Sequence, residues 1–153
     1  MLFLLFQLGD DRYALDARQV VEVLPLVEFK QIPQAPPAIL GAFNYRGTAT
    51  PLLDLSRLAL GRAAQSRLST RIVVLDYPDG DGHPRLLGLL AERVSETFRR
   101  DASQFQDAGV DVPGARYLGP VATDEQGLVQ WVRVEQLLPA EVRDLLFQPQ
   151  AAD

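Results

Sequence analysis

A chain of 153 residues, 47% apolar and 23% charged, has the size and balance of one globular domain, or of two small subdomains sharing a core. The net charge of −5 argues against nucleic-acid binding, which needs a concentrated basic face, and the lack of cysteine excludes disulfides and thiolate metal sites. The apolar start Met1 to Phe6 has no basic flank and runs straight into a polar turn. It is too short for a signal or membrane segment, so a cytosolic protein is expected.

Leu2 to Leu8 reads as a mostly buried strand, Gly9 to Arg12 as a hairpin turn and Tyr13 to Leu15 as a return strand. Asp16 is placed to cap a brief helix from Ala17 to Val20, with Gln19 in the capping-box position. Val21 to Leu26 follows as a strand. Gln34 to Gly41 has prolines at its start and glycine at its stop, the punctuation of one or two helical turns. Ala42 to Tyr45, the break Arg46-Gly47 and Thr48 to Leu55 then form a hairpin, with Gly47 suited to positive φ. Ser56 to Ser69 reads as a polar connection. Arg71 to Asp76 and Leu86 to Leu90 pair around a Tyr77 to His83 loop, and Gly88 marks a bend or close backbone approach. Ala91 to Phe98 continues extended, and Asp101 to Gly114 is irregular. Tyr117 to Ala122 and Leu128 to Val134 make a last hairpin. Pro139 opens a helix whose Val142, Leu145 and Leu146 share a face, before a frayed tail at 148–153. Eight to ten short strands with helix only in fragments predict an all-β barrel or sandwich, without a seam between independent domains.

No constellation for catalysis, metal or cofactor binding stands out. His83, the single histidine, lies in a loop without a second histidine or cysteine, and no serine has a nucleophile-elbow context. Asp79-Gly80-Asp81-Gly82 lacks the later glutamate of a calcium loop and reads as a hairpin tip. Arg57, Arg62, Arg67 and Arg71 cluster, and a solvated loop explains them better than a docking surface. Glu22 is more informative. It interrupts the apolar run Val20 to Leu24 and needs a partner, for which Arg46 is the candidate.

Three segments carry a resemblance: Phe6 to Asp16 leading into Val20-Val21-Glu22-Val23, then Pro37 to Gly47, then Pro51-Leu52-Leu53-Asp54-Leu55. Their Asn44-Tyr45-Arg46-Gly47 turn and Pro51 to Leu55 strand resemble the motif of the CheW family, the coupling proteins of bacterial chemosensory arrays, with Tyr45 where leucine is commoner. The likeness spans about residues 2 to 147, with Ala91-Glu92 in place of the usual Val-Asp and no matching motif between Arg99 and Arg116.

The resemblance implies a single domain over residues 1–153, built from two SH3-like five-stranded β-barrels sharing an apolar interface, with a short C-terminal helix. It implies a non-catalytic adaptor without cofactors, located in the cytoplasm at membrane-bound arrays but not inserted in the membrane. Its partners would be the regulatory domain of a CheA-type histidine kinase and the cytoplasmic tip of a methyl-accepting chemoreceptor. Val20, Glu22, Gly41, Asn44, Arg46 and Gly47 match positions that line or support the receptor groove, and Pro51 and Asp54 match structural turn and strand positions. A small barrel enzyme or ligand-binding protein of the same architecture is the alternative, and adaptors for swimming, pilus motility or surface sensing are alike at this level.

Overall fold

The computed structural model describes residues 1–64, 70–79, 81–107, 109 and 115–147. Among these residues, ten strands and two short helices follow in the order β1 (Leu2–Leu8), β2 (Asp11–Asp16), β3 (Val20–Leu24), β4 (Ile39–Tyr45), β5 (Thr48–Asp54), α1 (Leu55–Leu60), β6 (Arg71–Asp76), β7 (Leu86–Ala91), β8 (Glu96–Arg99), β9 (Leu118–Asp124), β10 (Gly127–Val132) and α2 (Ala140–Leu146). Single 3-10 turns occupy Ala17–Gln19, Ala102–Gln104 and Val134–Gln136. None of the described helices is long and apolar enough to cross a membrane.

The strands form two five-stranded sheets of matching topology, β8-β1-β2-β10-β9 and β3-β6-β7-β5-β4. In each, a central antiparallel hairpin (β1–β2 or β6–β7) has an antiparallel edge strand on one side, β8 or β3. On its other side runs a parallel neighbour, β10 or β5, which belongs to a second hairpin. An isolated bridge then curls each sheet round: Lys30 pairs with Ala42 on β4, and Gln106 with Val121 on β9. The chain therefore runs twice through the same order of strands, and each half lends its leading hairpin to the other half's sheet.

That exchange explains the unbroken apolar runs. A strand covered on both faces has no need of polar alternation. On β1, Phe3 and Leu5 enter one apolar cluster while Leu4, Phe6 and Leu8 enter another; on β6, Ile72 and Val74 part in the same way from Val73 and Leu75. Among the described residues, twenty buried ones drawn from both sheets form the shared core, against six in each sheet's own smaller cluster. At about 1.5–3 kcal/mol for each fully buried aliphatic side chain, the shared core dominates the apolar stabilisation.

Several expectations give way. The polar connection after Leu55 begins as helix α1, stopped by Gly61 in the left-handed region (φ 72°). Residues 34–38 form turns, not helix: Pro36 and Pro37 bring no N–H, the Pro36 carbonyl accepts from the Ile39 amide at 2.9 Å, and β4 starts there. Ala17–Gln19 is a 3-10 turn capped by Asp16, and Arg18, not Gln19, folds back onto the cap. The extended reading of 91–98 breaks after β7, where Arg93 takes φ 47°, and resumes as β8. On α2, Val142 and Leu146 pack against the shared core, whereas Leu145 is 57% exposed. The tail at 148–153, Arg67 and part of the 99–116 loop lie outside the described residues.

Candidate docking site

Sheet β3-β6-β7-β5-β4 has β3 and β4 as its edges, and the charges singled out in the sequence meet where those edges approach each other. The β4–β5 turn has two central residues, Arg46 at φ 49° and Gly47 at φ 88°. Positive φ at both is what a two-residue hairpin needs to match the right-handed twist of its strands. Gly47 adopts it without strain, and Arg46 does so against its side chain's preference. Asn44 braces the turn: its Oδ1 accepts the Gly47 amide at 2.7 Å.

From this turn two side chains reach Glu22 on β3. The Tyr45 hydroxyl donates to Oε2 at 2.6 Å, and Arg46 Nη2 lies 3.4 Å from both carboxylate oxygens. The Arg46 side chain is 75% exposed and Glu22 33%, so their pair is a surface contact and not a buried ion pair. Tyr45 is buried, with the Arg46 guanidinium 5.5 Å from its ring centre. Its hydrogen bond to Glu22, aided by burial, pushes the Tyr45 phenol above its usual value. Sequence reasoning named Glu22 and Arg46 but missed Tyr45, because an aromatic in an apolar strand gives no sign that its oxygen faces a carboxylate.

Gly41 lies further along β4, beside the bridge to Lys30, where a Cβ would collide with the Lys30 carbonyl. Its missing side chain lets the chain after β3 lie against β4 at that bridge. Val20 opens β3 half-buried against the shared core. Its neighbour Gln19 lines a cleft of about 570 Å³ with Asp16, Arg18, Pro120, Trp131, Arg133 and Glu135. Val21 and Val23, which alternate with Glu22 along β3, are exposed, as are Leu26, Val27 and Phe29 after it.

Pro51 and Asp54 both lie on β5, Asp54 as its last residue. Ala42 exchanges both backbone hydrogen bonds with Lys30, so its pairing with Pro51 needs no N–H from the proline. On the other side, pairing with β7 begins only at Leu52. Asp54, buried, caps α1 through the Ser56 and Arg57 amides (3.0 and 3.4 Å) and also accepts the Ala64 amide at 2.9 Å. Glu92, the departure from the family pattern, is buried and accepts from the Ser56 hydroxyl at 3.0 Å and Arg62 Nη1 at 3.1 Å. Arg62 and Arg57, 3.7 Å from Asp54, thus belong to this framework.

Asp79, Asp81 and His83 offer ligand atoms within 4.8 Å of one another at the β6–β7 loop. Asp79, however, is occupied as a backbone staple, accepting the Asp81 and His83 amides (both 2.9 Å) and Arg85 Nε (3.1 Å). Burial opposes its ionisation, but those bonds outweigh it and lower the carboxyl to about 2.

A family profile described as the CheW-like domain matches residues 2–142. The chemotaxis protein CheW of Helicobacter pylori is 28% identical over 140 residues, covering 89% of this chain and 80% of the relative. That of Klebsiella aerogenes is 28% identical over 142 residues, covering 91% and 82%. The solved structure of the scaffolding protein TtCheW from Thermoanaerobacter tengcongensis superposes with a TM-score of 0.81 at 22% identity, covering 95% of this chain and 93% of that one. A profile match over nearly the whole length, a shared fold and relatives named as chemotaxis proteins lead to one conclusion: the chain belongs to the CheW-like domain family of chemotaxis adaptors.

Proposed function

We propose that this adaptor couples the cytoplasmic tip of a methyl-accepting chemoreceptor to the regulatory domain of a CheA-type histidine kinase, working in the cytoplasm at membrane-bound arrays. The single observation carrying the receptor half is the lip of the β3/β4 seam, where the Glu22 carboxylate and the exposed Arg46 guanidinium stand together on a braced turn. A helical tip can bury apolar side chains against such a surface while the two charges set its register. Val20 and Gly41 support that lip, and Glu22, Asn44, Arg46 and Gly47 form it. The action is one of holding partners together and not of bond chemistry, and each contact is weak alone but strengthened by multivalency in an array.

The test is binding of the purified chain to a receptor hairpin-tip fragment and to a kinase regulatory domain from the same genome. Specific binding to both is expected. Failure of Glu22→Gln and Arg46→Ala to weaken the receptor arm would move the docking surface elsewhere.

A further inference from the structure

We infer that Tyr45 is the positioning residue of this docking site, fixing the Glu22 carboxylate so that one of its oxygens is presented to the partner; the inference rests on the docking reading above. Glu22 stands on an edge strand with its side chain a third exposed, and a long side chain there loses affinity to its own rotamer freedom unless something holds it. Two groups reach it, and they are not equivalent. Arg46 approaches with one nitrogen at 3.4 Å from both oxygens, from a side chain that is 75% in solvent. Tyr45 approaches at 2.6 Å, from a ring buried in the apolar cluster of Phe43, Leu52, Ile72, Val74 and Leu90.

The Tyr45 donor is therefore anchored by core packing, whereas the Arg46 donor sits at the end of a long side chain in solvent. One side of the seam contributes the rigid donor from β4 and the other the carboxylate from β3, so the hydrogen bond also ties the sheet's two edges. With Oε2 taken by Tyr45, Oε1 has only the long Arg46 contact among the described residues. It remains an acceptor for an N–H or O–H donor on the incoming helix. Arg46, whose guanidinium has five N–H donors, retains capacity for an acceptor on the same partner. Tyr45 thus determines which direction of approach the site accepts, while Arg46 adjusts to what arrives.

The experiment is a double-mutant cycle on the full chain, using a soluble receptor hairpin-tip fragment as probe. Tyr45→Phe keeps the ring in its packing and removes only the hydroxyl; Glu22→Met keeps the length and removes both the charge and the oxygen acceptor. Expected are a loss of about 5–10-fold in affinity for Tyr45→Phe alone and less than about twofold when Glu22→Met is already present, the non-additivity of residues acting through one contact. Equal losses in both backgrounds would assign Tyr45 a packing role only and overturn the inference. A Tyr45→Phe chain that binds like the parent while Glu22→Met binds weakly would also overturn it, leaving the docking site intact. Glu22→Met binding like the parent would instead remove the docking reading itself. A second measurement needs no partner: the phenol titration of Tyr45, followed by NMR with ring-labelled tyrosine, should fall toward the ordinary tyrosine value in Glu22→Met. An unchanged titration would mean the hydrogen bond is not made, which overturns the inference independently of any binding result.

Discussion

Arg12 and Asp124, 112 residues apart in sequence, form a two-pronged ion pair in which Nη1 donates to Oδ2 at 2.9 Å and Nη2 to Oδ1 at 2.5 Å. The Arg12 side chain is 8% exposed and Asp124 26%, and Nη2 also reaches the Gly127 carbonyl at 3.0 Å. The pair ties β2, from the first half of the chain, to the β9–β10 turn of the second. Arg12→Ala should cost about 1.5–3 kcal/mol, the range of hydrogen bonds to a charged group, since the carboxylate stays partly exposed and keeps the Gln126 amide at 2.8 Å.

The pair also sets a pH dependence. Hydrogen bonds from the Arg12 guanidinium, against the opposing effect of burial, hold the Asp124 carboxyl below the ordinary carboxylate value of 3.8. On acidification the unfolded chain takes up this proton before the folded protein does. The contribution is therefore complete above the unfolded value and is lost as pH falls through the folded one. Urea unfolding of parent and Arg12→Ala from pH 7 to 3 should show the stability gap narrowing below about pH 4.

At the docking lip, Arg46→Ala is expected to change stability by less than about 1 kcal/mol, since the pair with Glu22 is long and solvent-exposed. Binding to the receptor fragment should fall nonetheless. A thermal melt and a pull-down on the same preparation separate the two effects. A stability loss of about 3–5 kcal/mol would mark a buried pair instead.

Gly41→Ala should act through the backbone. The added methyl meets the Lys30 carbonyl, so the Lys30–Ala42 bridge must open. A loss of about 1–3 kcal/mol, the range of overpacking, is expected by chemical denaturation. Faster hydrogen exchange at the Lys30 and Ala42 amides, which donate across that bridge at 2.8 Å, would locate the damage.

Asp54→Ala removes three hydrogen bonds from a buried carboxylate and leaves the Ser56, Arg57 and Ala64 amides without their acceptor. A loss of about 2–3 kcal/mol follows from the cap and the orphaned donors together. Asn in its place retains one acceptor and should recover part of it. The check is equilibrium unfolding of both variants beside the parent.

Much of this protein is legible in its sequence because strand and turn chemistry is local. Apolar runs such as Phe3 to Phe6 and Ile72 to Leu75, separated by Gly-, Asp- and Pro-bearing turns, indicate strands directly, and Arg46-Gly47 marks a hairpin. Helix α1 escaped because its signals, Asp54 before it and Gly61 after it, bracket only six residues, too few for an apolar period to emerge from a polar stretch. Gln34 to Gly41 misled for the opposite reason: prolines at the start and glycine at the stop also punctuate a turn leading into a strand.

The Glu22, Tyr45 and Arg46 lip divides in the same way. Sequence by itself determined that Glu22 interrupts an apolar strand and that the residues around Arg46 form a tight turn, because both follow from neighbours a few positions away. It also carried the family, through motifs spread along nearly the whole chain. Only the tertiary structure decided that the two halves exchange hairpins and that Arg46 stands in solvent. It alone decided, too, that Tyr45 supplies the short bond to Glu22. Those outcomes depend on how sheet edges 20 or more residues apart curl toward each other, and periodicity holds no record of that distance.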